Sequence, residues 1–423
     1  MRLSGSWKVA GWLRRYLAPA QGWLTDDMLD LNQLIQQIDK IGLESFAEPE
    51  DQQEKFLAAE NAMSFIESDP TKFLEKVDLS QGKVLWPVAI PLEDIKSSLV
   101  VPPHLTPVTV IGVDGSQIMP SHHEVHTCYL LNVGCVEITY GSPIKPRLTT
   151  RPHLFHRPED LYPLVDRRRV QVDELYISLE RTILELQTLA QLSMENLEKG
   201  LPVVAFMDGS LIPWSVEKLT DKYKKFFLER MSAAMNLFNN AGIPIVGYLS
   251  SSRATDVVNM LRVAVCPFEV SDCRKNCAHL NEENFPCSTV WPLADRQLFF
   301  NHLVPKSRSS VFLSGSDVMR KWIPDERICF TYLHVGAEIA RVEFPRWLFQ
   351  KPELLEQTLG VIASQAAKGM GYPVCLSEAH HLAVIRGSER EKFFELMAAR
   401  MVNLGLQKIR TSPKESGKKV GFI

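Results

Sequence analysis

Two copies of Asp-Gly-Ser, Asp114-Gly115-Ser116 and Asp208-Gly209-Ser210, are the residues best suited to chemistry in this chain. Each aspartate follows an apolar run, VTVIGV at 108–113 and VVAFM at 203–207, that reads as a buried strand. If those strands are neighbours running the same way, the two carboxylates meet at one end of a sheet. Hydrolysis by divalent ions about 3.5–4 Å apart needs such a pair, because the ions activate water and stabilise the leaving oxygen. Magnesium and manganese favour oxygen ligands of this kind. The glycine after each aspartate allows a sharp turn, and Ser116 and Ser210 could bond a carboxylate or a substrate phosphate. One Asp-Gly-Ser is equally well explained as a turn after a strand; two in matching context make the metal reading worth pursuing.

Positioning these aspartates takes a particular order of elements. Residues 28–77 carry apolar residues at helical spacing, interrupted at Pro70, and Pro87, Pro91, Pro102, Pro103 and Pro107 mark an extended connector. After the strand at 108–113, the run 125–141 reads as one or two strands, with a hairpin around Gly134. Residues 160–199 read as a long helix with Leu175, Leu179, Leu186, Ala190 and Leu197 as its apolar stripe. A strand at 201–212, a helix at 215–241 stopped by Gly242 and a strand at 243–251 imply a parallel pair with a crossover helix. A helix at 254–263, strand candidates within 291–349 and helices near 352–369 and 390–404 follow.

The expected fold is therefore α/β: a ribonuclease-H-like mixed sheet flanked by helices, with an N-terminal helical region. The expected divisions are an N-terminal extension at 1–27, a helical region and connector at 28–104, a main domain at 105–405 and a polar tail at 406–423. Met28 reads as the start of the folded chain.

Composition narrows the partners. The 423 residues are 45% hydrophobic and 23% charged with a net charge of -3, ordinary values for a globular protein. Contact with nucleic acid must then use local basic surface, for which Arg167-Arg168-Arg169 and Lys222, Lys224 and Lys225 are candidates, although solvated helix faces explain them equally. No apolar run approaches a membrane span, and the basic N-terminus lacks the apolar stretch of a secretory signal. Free thiols in a reducing cytoplasm are expected from eight cysteines without such a signal.

Four of those cysteines, Cys266, Cys273, Cys277 and Cys287, fall close together beside His279 in what reads as a Cys-rich insertion at 266–287. Four thiolates could hold structural zinc or an iron–sulfur cluster. Their spacing lacks paired close knuckles, so a polar loop with reduced thiols is the competing reading.

Several segments together resemble the NurA nucleases. VIGVDGSQI (110–118) and VVAFMDGSLI (203–212) resemble the family's two Asp-Gly-Ser signatures. IPIVGYLSSSR (243–253), DRQLFFNHLVPKSRSSVF (295–312), YLHVGAEIARVEFPRWL (332–348) and GYPVCLSEAHHLAVI (371–385) resemble further family segments in the same order. The resemblance implies a ribonuclease-H-like, manganese- or magnesium-dependent DNA nuclease that degrades 5′ to 3′ and cuts single strands. It implies a homodimer working with a HerA-like hexameric ATPase in end resection for double-strand-break repair. It makes Asp114 and Asp208 metal ligands and His380 the late histidine of the active site.

It also implies a ligand glutamate on the helix before the second Asp-Gly-Ser. Glu185 fits best, with Glu180 and Glu174 as rivals; each could instead be a solvated helix charge. Arg253 stands where the family often has a lysine and could grip a phosphate. Tyr332 could stack on substrate or serve as a core tyrosine. The competing function is a catalytically silent DNA-binding or scaffold subunit of a HerA-like translocase.

Overall fold

The computed structural model describes residues 49–105, 107–121, 126–323 and 327–405, with isolated positions 34, 35 and 38. The expected extension at 1–27, the start at Met28 and the tail at 406–423 lie outside the described residues. Contact density divides the chain into Met1–Glu54 and Lys55–Ile423. In the first unit, positions 34, 35 and 38 are helical.

Helix α1 (Pro49–Ser68) leads to α2 (Pro70–Ser80), which Asp69 starts by accepting the Lys72 N–H at 3.0 Å. Pro70 opens the second helix because a missing N–H costs nothing in a first turn. The short strands β1 (Ile90–Pro91) and β2 (Leu99–Val100) lie in the segment expected as a connector and join the sheet edge.

The sheet's core is a meander, a crossover and two parallel strands. Strands β3 (Val108–Ile118), β4 (Tyr129–Tyr140) and β5 (Arg147–Phe155) pair antiparallel. Helix α3 (Glu174–Glu198) leads to β6 (Val203–Asp208), parallel to β3. Helix α4 (Asp221–Ala241) leads to β7 (Ile245–Leu249), parallel to β6. After α5 (Asp256–Val265), the short α6 (Cys273–Asn276) and α7 (Asp295–His302) come β8 (Ser307–Arg308), β9 (Phe312–Leu313), β10 (Ile328–His334) and β11 (Ile339–Pro345). Helices α8 (Pro352–Lys368), α9 (Val374–Ala383) and α10 (Gly387–Asn403) finish the described chain.

The strand order is β1-β9-β10-β11-β7-β6-β3-β4-β5, with β8 pairing β10 and β2. This is a large mixed sheet flanked by helices. Parallel strands covered on both faces read as continuous apolar runs, which is why β6 is legible as VVAFM. Alternate residues of β3 divide between two cores. Ile111 and Val113 pack with α3 and α4 on one face, whereas Val110 packs with α8 and α9 on the other.

Three expectations need correction. Strand β3 runs through Asp114-Gly115-Ser116 to Ile118 instead of stopping at Asp114, because β4 supplies a pairing partner along that whole length. Gly134 is inside β4, opposite Asp114, and makes no hairpin. The helix expected from 160 begins at Glu174, capped by the Asp173 carboxylate; before it, 164–165 and 168–169 form a tight hairpin that carries the arginine run. The Cys-rich segment is stitched to the chain after α2: the Ser271 N–H donates to Ser80 Oγ at 2.8 Å and the Cys273 N–H to the Lys83 carbonyl at 3.2 Å.

Candidate metal and phosphodiester site

Parallel pairing of β3 with β6 runs from Thr109 opposite Val203 to Val113 opposite Met207. One step beyond the last pair of this ladder stand Asp114 and Asp208, at matching positions of the two adjacent strands. Asp208 ends β6 and is exposed, whereas Asp114 is half-buried within β3.

Three further side chains reach this edge from different helices. His380, in the last turn of α9, places Nδ1 2.7 Å from Asp114 Oδ2. An ionised carboxylate only accepts hydrogen bonds, so Nδ1 carries the hydrogen, and the ring itself is exposed. The Tyr372 hydroxyl, just before α9, donates to the Asp208 carboxylate. Although Asp208 is exposed as a residue, the protein packed around its carboxyl strips enough water to raise it above the usual carboxylate range; Tyr372 and His380 oppose this, and Asp114 adds to it.

Glu185 arrives through the opposite face, on α3. It is buried, with Arg181 one turn earlier placing Nε 3.2 Å from its Oε1. Burial pushes the Glu185 carboxyl up to about 8; Arg181 works against this, while Asp114 and Asp208 add to it. Two like charges close enough to be felt locate the carboxylate at the Asp114–Asp208 edge. Its approach depends on Gly115, where any Cβ would collide with the Glu185 carboxylate.

Helix α9 is seated by the neighbouring strands. A Cβ at Gly134 would strike the backbone of Ala379 and of Ala383, so only glycine lets the helix lie this close. The last carbonyls of a helix lack partners within it. Here Asn132 Nδ2 donates to the Leu382 carbonyl at 3.2 Å and the Ala383 carbonyl at 2.9 Å, and Ser116 Oγ also donates to Ala383.

A cleft of about 800 Å³ opens beside Asp208 and is lined also by Tyr372, Tyr248, Arg253, Arg341 and Glu343. Arg253 is exposed on its rim. Glu343 braces the turn after Asp208: its Oε2 accepts from Ser210 Oγ at 2.8 Å and from the Leu211 N–H at 2.9 Å, and its Oε1 accepts from Arg341 Nε at 2.9 Å. Arg341 also reaches Asp256 at 3.0 Å, so a buried charge network holds this turn.

Asp114, Asp208, Glu185 and His380 are thus brought to one edge. Other expectations are corrected. Glu180 is held by both terminal nitrogens of Arg230 at 2.6 Å, between α3 and α4, and is committed away from the edge. Glu174 is exposed at the start of α3, about 16 Å along the helix from Glu185. Ser116 and Ser210 spend their hydroxyl protons on Ala383 and Glu343, so they brace the site instead of contacting substrate. Tyr332 is 0% exposed and donates to Asp295 Oδ2 at 2.7 Å, which makes it a core tyrosine.

Sequence reasoning missed Tyr372, Arg181 and Glu343. Arg181 was findable from its four-residue helical spacing to Glu185. Tyr372 opens the same segment that carries His380, but nothing local marks its hydroxyl as turned toward Asp208.

The donors suit a divalent cation by type: three carboxylates and an imidazole, with negative charge that Arg181 offsets only in part. Among the described residues, no three His, Cys, Asp or Glu side chains are drawn around one point. The fit is therefore one of donor chemistry and placement, with the side chains still apart.

Comparison with known proteins places the chain in a family. The NurA domain matches residues 108–385, well over half of the chain, from the start of β3 to just beyond α9. The NurA nuclease from Sulfolobus solfataricus is 13% identical, with 73% of this chain and 87% of that one covered and a TM-score of 0.45. A NurA bound to dAMP and manganese is 11% identical, with 86% and 96% covered and a TM-score of 0.34. No curated protein matches the sequence. On the extent of the domain match, the chain belongs to the NurA family.

Proposed function

We propose that the protein is a divalent-metal-dependent deoxyribonuclease with Asp114, Asp208 and Glu185 as its metal-holding carboxylates. The observation that carries this reading is the in-register placement of Asp114 and Asp208 on adjacent parallel strands, with Glu185 entering through Gly115. Membership of the NurA family supports it, as do the nuclease and manganese named for other members. The β5-β4-β3-β6-β7 order, a meander followed by parallel strands, supports a ribonuclease-H-like reading of the fold.

Bound manganese or magnesium would supply an activated water and charge stabilisation at the scissile phosphate. The chain's own residues do the rest. Glu185 and the two aspartates set the negative charge that recruits the cation, and Arg181 keeps that charge tolerable in a buried position. Asp114 orients the exposed His380 ring through Nδ1, which leaves Nε2 free of that contact for proton transfer near the phosphate. Tyr372 fixes the rotamer of Asp208. Arg253, on the cleft rim, is suited to a fork of hydrogen bonds with a backbone phosphate.

On this reading the substrate is DNA, degraded 5′ to 3′ and cut in single strands. The setting is cytoplasmic end resection for double-strand-break repair, by a homodimer with a HerA-like ATPase. The deciding experiment compares the wild type with Asp114→Ala on linear and single-stranded DNA with manganese. Manganese-dependent cleavage lost in the variant is expected; equal cleavage by both would remove Asp114 from catalysis and leave the silent-scaffold reading.

A further inference from the structure

A second group of ligand-type side chains gathers away from the sheet edge. Cys266 follows the last turn of α5, Cys273 opens α6, Cys277 closes it, and Cys287 precedes the next short helical turn. All four line one small cavity with Arg262 and Trp86. All four are free thiols, and Cys273, Cys277 and Cys287 are buried. Their backbones are tied: the Cys277 N–H donates to the Cys273 carbonyl at 3.0 Å, and Lys76 Nζ donates to the Cys266 carbonyl at 2.6 Å. His279 is exposed and lies outside the cavity lining.

Arg262 gives the independent observation. It is 2% exposed, lies 3.5 Å above the Trp86 ring and gives one nitrogen to Glu282 at 2.8 Å. Its Nε and Nη2 are buried with no oxygen or nitrogen acceptor, and the group within their reach is the Cys287 sulfur, a costly arrangement for a charged group unless that sulfur is anionic. The guanidinium sits beside Cys287 and favours its thiolate. A buried cation with spare donors next to four thiols is matched by a site that is anionic overall, as four thiolates around one divalent ion are.

We infer that Cys266, Cys273, Cys277 and Cys287 form a structural zinc site whose negative charge is balanced by Arg262. Zinc takes four thiolates tetrahedrally in closed structural sites. The cavity is about 10 Å³, room for about one ion of water-like size. The sulfurs are not drawn around a common point, so loading must pull the side chains inward. Burial and the neighbouring thiols push Cys273 up to about 11, its backbone bond to Leu85 working against them. Thiolates are the ligand form, so loading the site with zinc releases the thiol protons.

The site has a structural consequence for the cleft. Trp86, stacked under Arg262, is followed by Pro87, which lines the cleft beside Asp208 and whose carbonyl accepts from Asn259 of α5 at 3.1 Å. Closing the cysteines on zinc fastens this wall to α5. The inference stands apart from the nuclease reading, since zinc content is measured without DNA.

The test is the zinc content of the full-length chain purified without chelators, alongside Cys287→Ser and His279→Ala. About one zinc per chain is expected in the wild type and in His279→Ala, with a fall of at least about tenfold in Cys287→Ser. Because Cys287→Ser could misfold, a second measurement uses the wild type alone. Titration of its thiols with a mercurial should release the zinc to a chromogenic chelator as the cluster reacts. A folded wild type without zinc, zinc undiminished in a folded Cys287→Ser, or visible absorbance with bound iron and sulfide would each overturn the assignment.

Discussion

His380 Nδ1 lies 2.7 Å from Asp114 Oδ2, across 266 residues of chain. The contact fastens the last turn of a late helix to an inner strand of the sheet, and it works because Gly134, directly opposite Asp114, has no side chain to hold α9 away. One hydrogen bond thus joins the two ends of the family domain at the proposed reaction centre.

Removing either strand carboxylate should abolish cleavage. Loss of an outer partner of a metal ligand costs about 10–100-fold in affinity or activity, and a direct ligand should cost more. Asp114→Ala and Asp208→Ala are expected to cut manganese-dependent DNA cleavage by over about 100-fold, with circular dichroism unchanged. Wild-type rates in either variant would show that its carboxylate is only part of a turn.

His380 should affect turnover more than binding. Its Nδ1 is held by Asp114, and a positioned acid or base contributes about 100- to 10,000-fold. His380→Ala is expected to lower kcat within that range while DNA affinity, measured by fluorescence anisotropy with calcium, stays within about twofold.

The two site glycines should fail differently. A methyl at Gly115 meets side-chain atoms of Glu185 and Arg181, which can swing aside, whereas one at Gly134 meets helix backbone. Gly115→Ala is expected to lose activity with little change in Tm. Gly134→Ala should cost about 1–3 kcal/mol, read as a lower urea midpoint. Equal stability in both variants would argue against the close seating of α9.

Glu185 sets a pH dependence in the absence of metal. Its carboxyl is raised from 4.5 to about 8 in the folded chain, so the fold holds this proton more tightly than the unfolded chain does. Its favourable contribution is full below the unfolded value and is lost as pH rises through the folded one. With each pKa unit worth about 1.4 kcal/mol, Glu185→Gln should be more stable than wild type by a few kcal/mol above pH 8 in EDTA, an advantage that fades toward pH 4.5. Thermal melts across that window would check it, and manganese should shrink the difference by stabilising the wild-type carboxylate.

Tyr332 should matter for stability alone. Its hydroxyl donates to Asp295, which burial, with Asp256 nearby, raises to about 7 even though it accepts the Val257 and Val258 N–H groups and the Tyr332 hydroxyl. Tyr332→Phe is expected to cost about 1–3 kcal/mol and leave KM for DNA unchanged. A rise in KM without loss of stability would restore a substrate role.

The apolar runs, the turn residues and the two Asp-Gly-Ser copies were enough to predict an α/β chain with a parallel pair at 201–212 and 243–251, and to place Asp114 and Asp208 each at the end of an apolar run; that their two strands are parallel neighbours came from the tertiary structure. The former was legible because strand and helix patterns are local, written at periods of two and about 3.6 residues. What the local pattern could not decide was depth and neighbourhood. Glu174, Glu180 and Glu185 share one helix and similar flanks, yet only Glu185 faces a strand position emptied by a glycine; Glu180 meets Arg230 of another helix instead. Tyr332 and Tyr372 are both tyrosines near promising segments, but one is sealed in the core and the other stands against Asp208. Such choices belong to tertiary structure because they are set by which surfaces pack together, and side chains far apart in sequence meet only after that packing is made.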